Sequence, residues 1–245
     1  MRLLETHGCQ GGAYAGYRRA GWDVTGVDID RRHARYYPGE LVIADAATYI
    51  REHGHEYDAI HASPPCQWYS RGNAKGRATG NSKWSRTIPE IRDALLSAGR
   101  PYVLENVVDA GWDMVNPVTL CGCQFDLSTV DTDGVRIHLK RPRLFETNWG
   151  LTARRPCYHA GITQWAGAYG GARRDKDEAR YVRKGGYVPP DKSVVMALLG
   201  VTAADREGAR VAEPTWNGLF ESLPPAYTEW IGRQFLAHLA QEAAA

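Results

Sequence analysis

Leu3-Leu4-Glu5-Thr6-His7-Gly8-Cys9-Gln10-Gly11-Gly12, carried on to Val24-Thr25-Gly26-Val27-Asp28, is the stretch from which the architecture can be read. Leu3 to Glu5 is a short apolar strand that runs into a glycine-rich turn. Ala13 to Ala20 has helical character, and Gly21 is placed to stop it in the left-handed region. Val24 to Val27 is a second strand, and it ends on the carboxylate of Asp28. Strand, glycine turn, helix, strand and terminal acid make up the nucleotide-binding half of an open α/β sheet. The glycines let a ligand approach the backbone, and the acid can hold ribose hydroxyls.

The same alternation continues outward. Leu41 to Ala44 predicts a third strand, ending at Asp45-Ala46. Tyr57 to Ala62 predicts a fourth, which delivers Ser63-Pro64-Pro65-Cys66-Gln67 at its carboxyl end. Ile88 to Ala98 predicts a helix, and Pro101 to Val107 the strand that carries Leu104-Glu105-Asn106. Such an order implies an α/β chain with a mainly parallel, twisted sheet and helices on both faces. Ligands collect at the carboxyl edge of sheets of this kind.

Two motifs at that edge carry chemistry. A cysteine held between a diproline and a glutamine suits a nucleophile whose sulfur must arrive at a fixed angle. A strand-borne Glu-Asn pair offers a carboxyl and an amide to a polar ring. A thiolate that adds covalently to a substrate splits one hard step into easier ones. A carboxyl with a raised pKa can protonate a polar ring. Cationic neighbours such as Arg141 and Arg143 would lower the thiol pKa.

The 245 residues, 43% hydrophobic and 24% charged, fit one sizeable globular domain or one with a small appended lobe. No apolar run reaches the roughly 18 residues of a membrane span, and no signal-peptide pattern is read at the amino terminus. Five scattered cysteines point to a reducing, cytoplasmic setting. Net charge is only +2, but its distribution is uneven. Trp68 to Pro89 holds five cations (Arg71, Lys75, Arg77, Lys83 and Arg86) and no acid. Leu151 to Lys192 holds nine basic residues against four acidic ones, Arg173 and Arg174 among the basic. Both stretches are expected to line a cationic groove, and the first, long and polar, is expected to act as a lid.

Taken together, Pro64-Pro65-Cys66-Gln67 and Glu105-Asn106-Val107 resemble the catalytic motifs of the cytosine-C5 methyltransferases, of the compact phage or prokaryotic type. The resemblance covers most of the chain. Leu139-Lys140-Arg141-Pro142-Arg143 is similar to the family's Gln-x-Arg-x-Arg motif, with Leu139 in place of Gln. Leu223-Pro224-Pro225-Ala226-Tyr227-Thr228 resembles the terminal motif, with Phe220-Glu221 where Gly-Asn is usual. The resemblance implies a Rossmann-like S-adenosylmethionine-dependent methyltransferase fold with a very small recognition lobe. It implies Cys66, Gln67, Glu105, Asn106, Arg141 and Arg143 as the catalytic set. S-adenosylmethionine would be held by Gly8, Gly11, Gly12, Asp28, Ile29, Asp45, Ala46 and Pro64. Lys140, Arg173, Arg174 and the loop cations would meet double-stranded DNA, with the target base flipped out.

The segmentation that follows is 1–149 for cofactor and catalysis, 150–194 for target recognition and 195–245 returning to the first part. A monomer is expected. Cytosine methylation of RNA, a folate-dependent enzyme of the thymidylate synthase type and a DNA-binding relative without catalysis are the rival readings. Aromatic groups Trp68, Tyr69 and Trp84 are expected near the flipped base. Cys121-x-Cys123 with Cys157-x-His159 suggests zinc, but the Cys-x-Cys spacing is tighter than usual. Free thiols and no metal are therefore expected.

Overall fold

The computed structural model describes residues 1–162, 164–168, 187–209 and 211–244. The described residues form ten strands: β1 (Arg2–Thr6), β2 (Asp23–Asp28), β3 (Glu40–Ile43), β4 (Ala59–Ala62), β5 (Tyr102–Val107), β6 (Val118–Leu120), β7 (Ser128–Val130), β8 (Arg136–Leu139), β9 (Arg143–Thr147) and β10 (Trp165–Ala166). The helices are α1 (Gly12–Arg19), α2 (Ala46–His53), α3 (Ala74–Thr79), α4 (Ile88–Ala98), α5 (Lys192–Leu199), α6 (Trp216–Glu221) and α7 (Pro225–Ala244).

Seven strands form the main sheet in the order β3-β2-β1-β4-β5-β9-β6. The first five are parallel; β9 runs antiparallel to both β5 and β6. Side chains alternate across this sheet, as the two-residue period of a strand requires. Leu4, Ile60 and Leu104 face a core closed by α2 and α4, whereas Leu3, Ala59 and Val103 face one closed by α1 and α7. Helices thus cover both faces, as expected of near-continuous apolar parallel strands. α1 and α7 approach closely because residue 16 is glycine. A Cβ there would come within 2.1 Å of both the Pro225 carbonyl and the Thr228 hydroxyl.

The chain leaves β1 towards β2 and β3, then crosses back to place β4 on the other side of β1. This reversal opens a crevice beyond the carboxyl ends of β1 and β4, where His7 and Ser63 follow. A three-stranded sheet, β10-β8-β7, packs with α5 on a separate small core of Ile137, Leu139, Val195 and Leu198. Two of its strands precede β9, so the lobe draws on residues from 128 onward and not only on 150–194. Among the described residues, no helix is long and apolar enough to cross a membrane.

Trp68 to Pro89, expected as an irregular lid, contains a 3₁₀ turn (Arg71–Asn73), α3 and the start of α4. Its internal order has a cause. Arg77 donates to the carbonyls of Trp68 and, at 2.9 Å, Ser70, while Asn73 donates to the Ser82 hydroxyl at 2.8 Å.

Candidate active site

A cavity of about 630 Å³ lies in the crevice, and members of both sets of residues singled out in the sequence border it. At one end stand Cys66, Gln67, Glu105, Arg141 and Arg143; at the other, Asp28, Ile29, Asp30 and Glu221.

The catalytic end is built from β4, β5 and β9. Asn106 reaches from β5 and donates to the Pro64 carbonyl at 3.0 Å, which ties the diproline turn to the sheet. Its own side-chain oxygen accepts from the Val107 amide at 3.0 Å. Arg143 opens β9 opposite Val107, and its Nε lies 3.3 Å from Glu105 Oε1. Burial pushes the Glu105 carboxyl above its ordinary value, opposed by Arg143, Ser63 and Arg141. That is the direction a proton donor at neutral pH requires. Burial also pushes the Cys66 thiol up, and Glu105 adds to the effect; Arg143 and Arg141 pull the other way without prevailing. The expected lowering by the two arginines is therefore present as a contribution and outweighed by desolvation. Gln67 Oε1 is buried without a hydrogen-bond partner among the described residues. An unpaired buried acceptor costs free energy, so a ligand that donates to it gains by doing so.

Arg141 is fully buried, and its guanidinium donates to the carbonyls of Ala168 and, at 2.6 Å, Phe220. Tyr227 of α7 donates to the Arg141 carbonyl at 2.9 Å. Its position couples the small lobe and the terminal motif to the cavity wall.

Beneath the catalytic end runs a chain that sequence reasoning missed. The Tyr17 hydroxyl lies 2.7 Å from His61 Nδ1, and His61 Nε2 lies 2.8 Å from the Ser63 hydroxyl, which in turn bonds Glu105. Burial drives the His61 pKa down to about 3, so a neutral imidazole links the two hydroxyls. A histidine in the middle of an apolar strand was the available signal.

At the cofactor end, Asp28 accepts from the Cys9 amide at 3.0 Å and the Asp30 amide at 2.8 Å, and His33 Nδ1 lies 3.0 Å away. Burial raises the Asp28 pKa, but these bonds from His33, Asp30 and Cys9 prevail and hold it below the usual carboxylate range. Ile29 beside it is 74% exposed, an unusual setting for an isoleucine and one that suits a flat ring. Asp30, His33 and Glu221 were not foreseen here. Asp30 follows Asp28 by two, so the strand pattern offered a hint; Glu221 arrives only through the chain's return. Gln10 helps to close that return, accepting from the Thr215 amide at 2.8 Å.

Three groups of residues singled out in the sequence lie off this cavity. Gly8, Gly11 and Gly12 do not border the cavity; Cys9 and Gln10 do. Gly11 takes the left-handed conformation (φ 84°) at the start of α1, and a Cβ on Gly12 would strike Ser222 at 2.7 Å. Their smallness serves the turn and its packing against the carboxyl-terminal segment. Asp45 and Ala46 also lie off the cavity, and Asp45 caps α2 by accepting from the Thr48 amide at 2.9 Å. Tyr69 is fully buried and donates to Asp113 at 2.8 Å, so it belongs to the core. Trp84 does border the cavity, and Pro64 does too.

The loop cations divide. Arg77 braces the loop backbone, Arg86 grips the buried carboxylate of Asp113, and Arg71 lies 3.2 Å from Asp109. Lys75 and Lys83 are exposed, Lys83 standing 5.0 Å above the Trp84 ring. Lys140 is exposed as well. Arg173 and Arg174 lie outside the described residues.

No family model and no curated protein sequence matches this chain. Among solved structures it is similar to the Dnmt2 methyltransferase of S. pombe, with 12% identity, a TM-score of 0.62, and coverage of 98% of this chain and 99% of that one. It is also similar to the Entamoeba histolytica methyltransferase EhMeth, with 10% identity, a TM-score of 0.56 and 98% of both chains covered. A DNMT2 variant from Spodoptera frugiperda gives 14% identity, a TM-score of 0.53, and coverage of 97% and 99%. The chain shares the fold of these three structures. At these identities the likeness is one of fold, and the Rossmann-like α/β class read from the strand order stands with it.

Proposed function

We propose that the protein transfers a methyl group from S-adenosylmethionine to C5 of cytosine in double-stranded DNA. The observation that carries this reading is the single cavity that joins Cys66, Glu105 and Arg143 to the acidic end at Asp28 and Asp30.

The residues fit the cofactor. Asp28 keeps its charge and retains acceptor capacity for a ribose diol, and Ile29 offers an apolar surface for the adenine. When bound, S-adenosylmethionine supplies an electrophilic methyl group. The chain's own residues prepare the base to receive it. Cys66, aimed by the Pro64-Pro65 turn, gives its proton to solvent and adds as thiolate through sulfur to C6. Glu105 protonates N3, and its raised pKa keeps the proton available. Arg143 then stabilises the carboxylate that Glu105 becomes. With the ring no longer aromatic, C5 is the nucleophilic carbon; once C5 is methylated, its proton passes to water, the N3 proton returns to Glu105 and the Cys66 thiolate departs, which restores the base. Trp84 and Lys83 at the rim suit stacking on a base and attraction to a phosphate.

A DNA duplex with 5-fluorocytosine at the target site tests the reading, because that C5 substituent cannot leave as a proton. With cofactor, wild-type protein should form a complex that survives denaturation on a gel, and Cys66→Ser should form none. Parallel assays with DNA and tRNA as acceptors decide which polymer is used. Fully active Cys66→Ser protein would rule out the covalent route.

A further inference from the structure

A second group of reactive side chains lies outside the cavity and takes no part in this chemistry. Cys121 and Cys123 flank the start of the 3₁₀ turn that follows β6, and Cys157 and His159 lie on the irregular segment that leaves β9. Their four donor atoms all lie within 4.8 Å of one another. Cys121 Sγ is 3.5 Å from His159 Nε2, Cys157 Sγ is 3.3 Å from the same nitrogen, and Cys123 Sγ is 3.4 Å from Cys157 Sγ. Tetrahedral zinc, with Zn–S of about 2.3 Å and Zn–N of about 2.0–2.1 Å, spaces its ligand atoms about 3.8 Å (S to S) and about 3.6 Å (S to N) apart. The separations in the protein lie within a few tenths of an ångström of those values.

The surrounding bonds hold the two segments in register. Gln124 accepts from the Cys121 amide at 2.7 Å and donates to the Arg155 carbonyl at 2.6 Å. Arg155 returns a bond to the Cys123 carbonyl at 2.6 Å. The His159 ring meets Trp165 edge-on at 4.9 Å. Such outer bonds orient ligands in metal sites. By contrast, Tyr158, between two of the donors, is 70% exposed, so apolar burial does not hold this segment in place. All five cysteines are free thiols, and the cluster runs from the buried Cys121 to the exposed Cys157.

We propose that Cys121, Cys123, Cys157 and His159 bind one structural zinc ion. Four protein ligands fill a tetrahedral ion and leave no position for substrate, so the site is structural and not catalytic. The tight Cys-x-Cys spacing that argued for free thiols loses its force here, because the second pair arrives from the far side of β9. The ion clips the root of β7 to the segment that leads into β10. Those are the two outer strands of the small sheet, so the metal fixes the lobe against the main body. A second donor group, Cys9, Asp28 and His33, belongs to the cavity already described.

The test is metal analysis of the full-length chain, purified with reductant and without chelator. Mass spectrometric metal analysis should find about one zinc per chain. Replacement by Co²⁺ should give the visible bands of a tetrahedral site together with sulfur-to-cobalt charge transfer. Cys157→Ser and His159→Ala should each lose retained metal, while Cys66→Ser should keep both the zinc and the cobalt spectrum. The metal count is thus independent of whether methyl transfer occurs. Should the ligand variants fail to fold, the wild-type count and spectrum still decide. Wild-type protein that holds no zinc after refolding with added Zn²⁺, or an octahedral cobalt spectrum, would overturn the proposal. So would a Cys123–Cys157 disulfide in protein alkylated at lysis.

Discussion

At the catalytic end of the cavity, Cys66, Glu105 and Arg143 stand on or just beyond three neighbouring strands, β4, β5 and β9. At the cofactor end, Asp28 and Asp30 from the first nucleotide-binding unit meet Glu221 from the far part of the chain. The first end is held by sheet ladders and one buried pair. The second is completed by a segment that must fold back, fastened by Gln10 to Thr215 and by Ala212 to the Arg35 carbonyl at 2.9 Å. On the proposed function, residues at the first end should change the rate without disturbing cofactor binding, and residues at the other end should govern whether the cofactor is held.

The sharpest way to break this division is Cys66→Ser. Methyl transfer should fall by at least about a thousandfold, while cofactor affinity measured by calorimetry stays near wild type. A parallel loss of affinity would show that the two ends are not separable.

Asp28→Ala probes the other end. One charge-assisted bond to ribose is worth about 1.5–3 kcal/mol, or a factor of about ten to about a hundred and fifty in affinity. Calorimetric titration with S-adenosylmethionine should show that loss. Unchanged affinity would remove Asp28 from the cofactor site.

The two ends also rest on buried groups of opposite sign. Glu5 lies below the cofactor end, accepts from the Tyr37 hydroxyl at 2.7 Å and is pushed up to about 8 by burial. The folded chain keeps a proton that the unfolded chain releases from its ordinary value of 4.5. Its contribution is fully present below that value and is lost as pH rises through about 8. His61, below the catalytic end, has its pKa lowered, so its contribution is lost as pH falls below the ordinary 6.5 towards about 3. Glu5→Gln should remove the Glu5 share of the fall in melting temperature as pH rises from 4.5 to about 8. An unaltered slope over that range would put the buried proton elsewhere.

The smallest effect concerns the rim. Lys83→Ala should reduce the slope of log affinity against log salt by about one for DNA. Arg77→Ala should instead loosen the loop, because its guanidinium is spent on the Trp68 and Ser70 carbonyls. Equal changes in slope would mean that charge counting along the sequence predicts the groove as well as the structure does.

That last contrast shows where sequence reading stops. Five unmatched cations between Trp68 and Pro89 looked equivalent in one dimension. In the fold, Asp109 and Asp113 come from beyond β5 to engage Arg71 and Arg86. The placement of Cys66 and Glu105 at one sheet edge was legible because strand alternation and the diproline are local constraints. The placement of Asp28 was legible for the same reason, as the acid that ends an apolar strand.

The sequence by itself determined the parallel α/β sheet and the placement of Cys66 and Glu105 at one edge of it. Each follows from periodicity and backbone restriction over a few residues. Only the tertiary structure decided that Gly11 and Gly12 serve packing, that Asp45 caps a helix and that Glu221 joins Asp28. It also decided that Cys121, Cys123, Cys157 and His159 share one point in space. These depend on contacts between distant segments, and side-chain partners chosen by chain return leave no periodic trace in the sequence.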